Sequence, residues 1–401
     1  MRRSLTVLAL LTLGVTHASG ADDFLFTPAA QVWLQATSAL RSRYVGPGEA
    51  QLPALLTDAE RRLQAICAGV DFDPGTCDEN LATSVLARAL RLLGDPHTHL
   101  VPVDHKTPKD DAGFTARETS VGTVVTTVTP GSTVDHAGLR RGDVVDVPAL
   151  LAAFDRAGVK TGQSKPAAFT VLRQGRKVTL HATTRLQRRP TLPYLTKTTT
   201  PGTSVLTIPT FAYYPQVARQ VHNLVRQANE QGVRRLVVDL RGNHGGGGCF
   251  EAAGAFVPSY TLVERTRSAV ETARVVNGVF VDAAPVLQGT PSTLFTGKVV
   301  VLVNDLTASC GEVFALVLQH EGRARVVGQM TAGAADTQPV DVSLGAHEVL
   351  WMSVARHGFD EVTPYPHVVA PDVVVRDDVV TLARSGRDVP MERALAELDG
   401  Q

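Results

Sequence analysis

The sequence predicts an α/β multidomain protein, and three changes of pattern along the chain predict it. Apolar residues recur at three- and four-residue spacing from Thr27 to about Leu93, as on one face of a helix. Short strand-like runs bounded by Gly and Pro replace them between about Gly113 and Arg185. From about Thr200 onward, buried-looking strands alternate with amphipathic helices, the signature of layered α/β structure.

Bulk properties agree with this division. At 401 residues the chain exceeds the size at which a single core keeps growing. Hydrophobic residues make up 44% and charged residues 19%, a balance that suits packed domains rather than a disordered chain. Lys plus Arg and Asp plus Glu are both 39, so no excess of positive charge recommends a nucleic acid or an anionic membrane as partner.

Residues 1–20 read as a secretory signal peptide, with Arg2 and Arg3 ahead of an apolar run from Leu5 to Val15 and small residues Ala18, Ser19 and Gly20 before the cut. A membrane anchor is the competing reading, but the run is about 11 residues where a span needs roughly 20. The mature chain is therefore expected to be secreted or periplasmic, with no stable span after signal cleavage. Residues 21–105 form the helical domain, in VWLQATSAL, ALLTDAERRLQAI and LATSVLARALRLL, and Gly94 and Pro96 of GDPHTHL stop its last helix. Cys67 and Cys77 flank the short segment AGVDFDPGT, where export favours a local disulfide. Cys249 and Cys310 lie in two segments that the chemistry below brings to one site, and their pairing stays open. Metal binding is the weaker reading, since no CxxC or HxxxH spacing occurs.

Residues 112–187 run strand, short helix, strand, helix and closing hairpin, the last turning at Gln174 and Gly175 in FTVLRQGRKVTLHAT. This order, and above all the phrase PGSTVDHAGLRRGDVV, resembles a bacterial PDZ domain. Such a domain implies a peptide added as an extra strand. The turn between the GDVV strand and the next helix is shortened here to Asp146, Val147 and Pro148, which trims the implied groove. Residues 195–401 form the α/β core, with strands in SVLTIPTF, RRLVVDLR, KVVVLVN, RARVVG and EVLWMSVA and helices in PQVARQVHNLVRQANEQG and GEVFALVLQH.

Two core segments carry chemistry. In VVDLRGNHGGGGC a buried strand runs into four consecutive glycines, residues chosen where backbone must approach closely or present bare amides. A surface loop is the bland alternative, but α/β sites lie where such loops leave central strands. In VVVLVNDLTASCGEVF a second buried strand leads to Ser309 ahead of a helix beginning near Gly311. Ser309 with Glu312 reads as a plain capping box. The same helix start would also stabilise an oxyanion formed at Ser309.

Together these phrases resemble the carboxyl-terminal processing (tail-specific) proteases and their relative, the tricorn protease core. The pairing of DLRGNHGG with TASCGE, followed by GRARVVG, TAG and a closing VVAPDVVV, carries the resemblance, which covers nearly all of the mature chain. It implies a crotonase/ClpP-like spiral αβα catalytic core and acyl-enzyme chemistry on polypeptides, with no cofactor and no metal. Ser309 takes the place of the family nucleophile. The amides of Cys310 and of Gly245 or Gly246 take the place of its oxyanion hole.

The general base departs from the pattern. Processing proteases use a lysine in a phrase resembling TFGKGTVQ, and the corresponding TAGAADTQ puts Ala334 there. No lysine follows Lys298 anywhere in the chain. The tricorn-like branch uses a histidine from the region corresponding to GDPHTHL, which makes His97 the first choice, and imidazole is the side chain best matched to base work near neutrality. His244 in the glycine loop and His320, 11 residues past Ser309, are candidate supporting groups. His99, His105, His357 and His367 read as surface or packing residues. The triad acid is open between Glu361, Asp360 and Glu312. The competing reading is a catalytically inactive homologue kept as a peptide-binding scaffold. Crotonase-like acyl chemistry on a coenzyme A substrate fits poorly with an export signal.

Overall fold

The computed structural model describes residues 24–68, 77–105, 112–156, 167–182, 186, 190–281, 293–345 and 348–400. The signal segment 1–20, most of the loop between Cys67 and Cys77, and the linker around Asp111 lie outside the described residues. The chain divides into two compact units, one of residues 1–102 with 341–352, the other of residues 103–340 with 353–401.

Among the described residues the first unit holds three helices, Pro28–Arg43, Leu52–Ala68 and Glu79–Arg91. Each begins or packs for a local reason. Thr27 caps the first by accepting from the Ala30 amide at 3.1 Å, and Asp78 caps the third through the Leu81 amide at 2.9 Å. Leu52, Leu56, Ala59 and Leu63 bury one face of the second helix. A disulfide from Cys67 to Cys77 ties the end of that helix to the approach of the next. After the third helix the turn Asp95–Thr98 leads into strand His99–Pro102, antiparallel to Glu348–Trp351.

The second unit contains two layered systems. A five-stranded antiparallel sheet takes strands Phe114–Thr119, Gly122–Val128, Val144–Val145, Ala167–Arg173 and Arg176–Ala182 in sequence order. Its hairpin turns on Gln174 at φ 50° and Gly175 at φ 77°, the paired left-handed geometry that tight hairpins use. The core sheet is mostly parallel and places Arg235–Asp239 between Thr203–Thr207 and Lys298–Val303, with Arg325–Gly328 and Val373–Val374 beyond. Val299–Val303 is wholly buried, as a strand covered on both faces must be. One face packs on helices Gln216–Glu230 and Cys310–His320, the other on Ala394 and Leu398 of helix Val389–Gly400. The hairpin Ser259–Arg265 with Val270–Val276, which the sequence reading did not identify, pairs its first strand with residues 356–358.

Register decides where the chemistry sits. Strands Arg235–Asp239 and Lys298–Val303 run parallel as neighbours, Val301 opposite Val238, so the loops that follow them leave the same end of the sheet. Those loops are the glycine run and the approach to Ser309. A buried charge cluster braces the first. Arg241, 6% exposed, donates to Asp239, Asp377 and Asp388, and Arg141, in the turn before strand Val144–Val145, reaches the same Asp377 and Asp388. Asn304 links the cluster to the loop, donating to Asp377 at 2.9 Å and accepting the Gly242 amide at 3.0 Å.

Candidate active site

Ser309 stands immediately before helix Cys310–His320 with φ 52° and ψ −123°. That is a strained conformation for a residue with a side chain, costing about 1 to 3 kcal/mol, and such strain persists where the surroundings enforce it. Serine hydrolases commonly hold the nucleophile on a strained turn of this kind so that the hydroxyl projects clear of the backbone. Ser309 is half-buried. Its amide donates to Glu312 Oε2 at 2.7 Å, the carboxylate half of the capping box read from the sequence.

Glu312 is a buried hub. Besides the Ser309 amide it accepts from the Gly333 amide at 2.9 Å, the Ala334 amide at 2.8 Å and the Thr331 hydroxyl. Burial pushes its pKa up against the pull of these donors. With its oxygens occupied by donors that brace Ser309 and the Thr331–Ala334 turn, Glu312 acts as a positioning group.

The glycine loop closes on Ser309 from the other side. A Cβ on Gly245 would stand 2.7 Å from Ser309 Cβ and 3.0 Å from the Cys310 amide nitrogen, and one on Gly246 only 2.2 Å from the Phe211 carbonyl carbon. Only bare backbone fits. Asn243 shapes the loop: its Oδ1 accepts the Gly245 amide at 2.9 Å, its Nδ2 donates to Ile208 O at 2.8 Å, and its carbonyl accepts the Ala308 amide at 2.9 Å. Of the two glycine amides named from the sequence, Gly245 is therefore taken. The amides of Gly246 and Cys310 have no acceptor among the described residues, and they sit on the two facing walls. A disulfide between Cys249 and Cys310 joins those walls.

The remaining sequence candidates are placed as follows. His97 belongs to the first unit, 2% exposed, its amide on Asp95 Oδ1 at 3.0 Å and its ring edge-on to Trp351 at 5.1 Å. His244 is exposed on the glycine loop. His320 stacks on Phe359 with ring centroids 3.7 Å apart at the far end of its helix, roughly 16 Å along the axis from Ser309. Glu361 lies in an exposed turn where its carbonyl accepts from Arg265, and Asp360 caps the same turn through the amides of Val362 and Thr363. The sequence reading takes His367 as a surface or packing residue. Its Nδ1 meets Asp336 Oδ1 at 2.8 Å, and its Nε2 lies 3.0 Å from where a Cβ on Gly333 would stand, beside the turn held by Glu312. Asp336 is 31 residues away in sequence, so no local signal marks the pair.

Residues 202–375 match the profile of Peptidase family S41. The chain is 30% identical over 211 residues to a carboxyl-terminal-processing protease of Synechocystis sp., covering 50% of this chain and 45% of that protein. It is 28% identical over 282 residues to the chloroplastic C-terminal processing peptidase of Tetradesmus obliquus, covering 64% of this chain and 57% of the relative. The chain thus spans about half the length of the curated relatives it matches. An S41-type protein from Bacteroides fragilis shares the fold, with a TM-score of 0.53 at 18% identity over 79% of this chain and 90% of that one. Residues 202–375 are thus similar to peptidase family S41 across the strained serine and the glycine loop, and the chain is similar to carboxyl-terminal-processing proteases over part of their length.

Proposed function

We propose that the chain is an exported serine endopeptidase that hydrolyses peptide bonds of polypeptides through an acyl-enzyme at Ser309. The observation that carries this reading is the strained Ser309 packed against Gly245, with the neighbouring amides of Gly246 and Cys310 lacking an acceptor among the described residues. Ser309 Oγ attacks the scissile carbonyl, the carbonyl oxygen becomes an oxyanion held by those amides, and an imidazole takes the hydroxyl proton and returns it to the leaving amine. Water then releases the acyl group by the same steps. Each well-placed amide is worth about 3 to 4 kcal/mol of barrier.

The proton acceptor has two readings. Resemblance to the tricorn-like branch favours His97, and its burial and Asp95-braced turn give it a fixed orientation. The hydrogen bond that His367 Nδ1 donates to Asp336 favours His367, because a carboxylate on Nδ1 leaves Nε2 as the basic nitrogen beside the Glu312-braced turn. In our reading the five-stranded sheet is a PDZ-like module that docks polypeptide by strand addition, the core is a crotonase/ClpP-like spiral, and the Leu5–Val15 run directs export. A catalytically inactive scaffold is the competing reading, favoured by Ala334 at the family lysine position. Purified protein should cleave casein and Ser309→Ala should not, with an unchanged thermal melt; cleavage that survives Ser309→Ala would reject the mechanism.

A further inference from the structure

This inference rests on the hydrolase reading above and concerns what holds the oxyanion hole together. The Cys249–Cys310 disulfide joins the residue that ends the glycine loop to the residue that follows the nucleophile, with Cα atoms 5.3 Å apart across a sequence separation of 61. Cys310 contributes one of the two open amides, and Gly246, three residues before Cys249, contributes the other. Glycine has the largest backbone freedom of any residue, and four in a row make the least self-supporting wall a site can have. Gly245, Gly246 and Gly248 all lie at positive φ, so the run cannot rely on side-chain sterics to hold its shape. On its nucleophile side it is fixed by the Ala308 amide on Asn243 O and by the covalent bond at Cys249. Both cysteines are buried, at 1% and 9% exposure.

The geometry points to Cys249 and Cys310 as positioning residues of the oxyanion hole, so that the oxidised chain turns substrate over while the reduced chain, still folded, does so poorly. Forming the bond takes one proton and one electron from each thiol. A disulfide-bearing oxidant accepts both electrons and both protons and becomes two thiols. Oxidants of that class persist outside the reducing cytosol. The chain is then a weak hydrolase until it meets an oxidising compartment, whatever its substrate.

The test compares oxidised wild type, wild type reduced with dithiothreitol and verified by thiol count, the double variant Cys249→Ala/Cys310→Ala, and the control Cys67→Ala/Cys77→Ala. Casein turnover, KM and a circular-dichroism melt are read for each. The double variant and the reduced wild type should lose about 10- to 100-fold in kcat while remaining folded at the assay temperature, with KM within about twofold. The control should keep kcat within about twofold. Full kcat in a folded chain lacking the bond, an equal loss in the control, or unfolding once the bond is gone would each overturn the proposal. Silence of the oxidised wild type toward both casein and a fluorophosphonate would sink the hydrolase reading itself, and this inference with it.

Discussion

His97 and His367 are both held by an aspartate, but in opposite ways. Asp95 grips the backbone of the His97 turn, accepting the His97 amide at 3.0 Å and the Thr98 hydroxyl at 2.7 Å, all within one short phrase. Asp336 grips the imidazole of His367 directly, at 2.8 Å, from 31 residues away. His97 is 2% exposed, whereas the His367 side chain is 43% exposed. One histidine is fixed by burial and a local turn, the other by a hydrogen-bonded carboxylate while it stays partly exposed. The first arrangement fixes where a ring is. The second fixes which ring nitrogen carries the proton.

The largest effect that sharpens this contrast is on turnover. Whichever histidine accepts the Ser309 proton should lose about 1000-fold or more in kcat on replacement by Ala, while the other should change by less than about tenfold. If His367 is the acceptor, Asp336→Asn should follow it downward, because the amide no longer selects the productive tautomer; if His97 is, Asp336→Asn should leave kcat within about threefold. Turnover carried by an imidazole should rise through a pH of about 6 to 7. Equal and small losses in both His→Ala variants would show that neither ring does base work.

A smaller effect, read in stability rather than rate, concerns the charge cluster beneath the glycine loop. Burial alone would raise the Asp388 carboxyl, but the Arg241 and Arg141 guanidiniums hold it well below the ordinary range. A depressed carboxyl contributes stability that is present above the unfolded value near 4 and is lost as pH falls through the folded one. Stability should therefore decline below a pH of about 4, and Asp388→Asn should destabilise the chain by about 3 kcal/mol at pH 7 while removing part of that acid sensitivity. Urea unfolding of both proteins between pH 3 and 7 measures this. Parallel curves would mean that Arg241 is balanced by Asp239 and Asp377 alone.

The same contrast explains what was legible in the sequence. Groups whose partners are near in sequence could be read directly: the buried Val299–Val303 strand, the hairpin turn at Gln174 and Gly175, the glycine loop and Ser309. Groups defined by distant partners could not. Arg241 meets Asp388 across 147 residues, His367 meets Asp336 across 31, and the choice between Gly245 and Gly246 depends on where Asn243 Oδ1 points. The Ser259–Val276 hairpin was missed because its second strand carries exposed Glu271 and Arg274 and its first only a short buried stretch, so neither has the apolar run of the core strands. The disulfide between Cys249 and Cys310 lay between these cases, since the motifs marked both walls but only the fold shows that they meet.

The central claim is that Ser309 is an activated nucleophile, and covalent labelling tests it most directly. Oxidised wild-type protein should be incubated with a fluorophosphonate, digested, and mapped by mass spectrometry. The account predicts a single phosphonyl adduct on the peptide containing Ser309, absent after heat denaturation and absent from Ser309→Ala. A folded protein that shows no adduct, or an adduct on another serine with Ser309 unmodified, would contradict it.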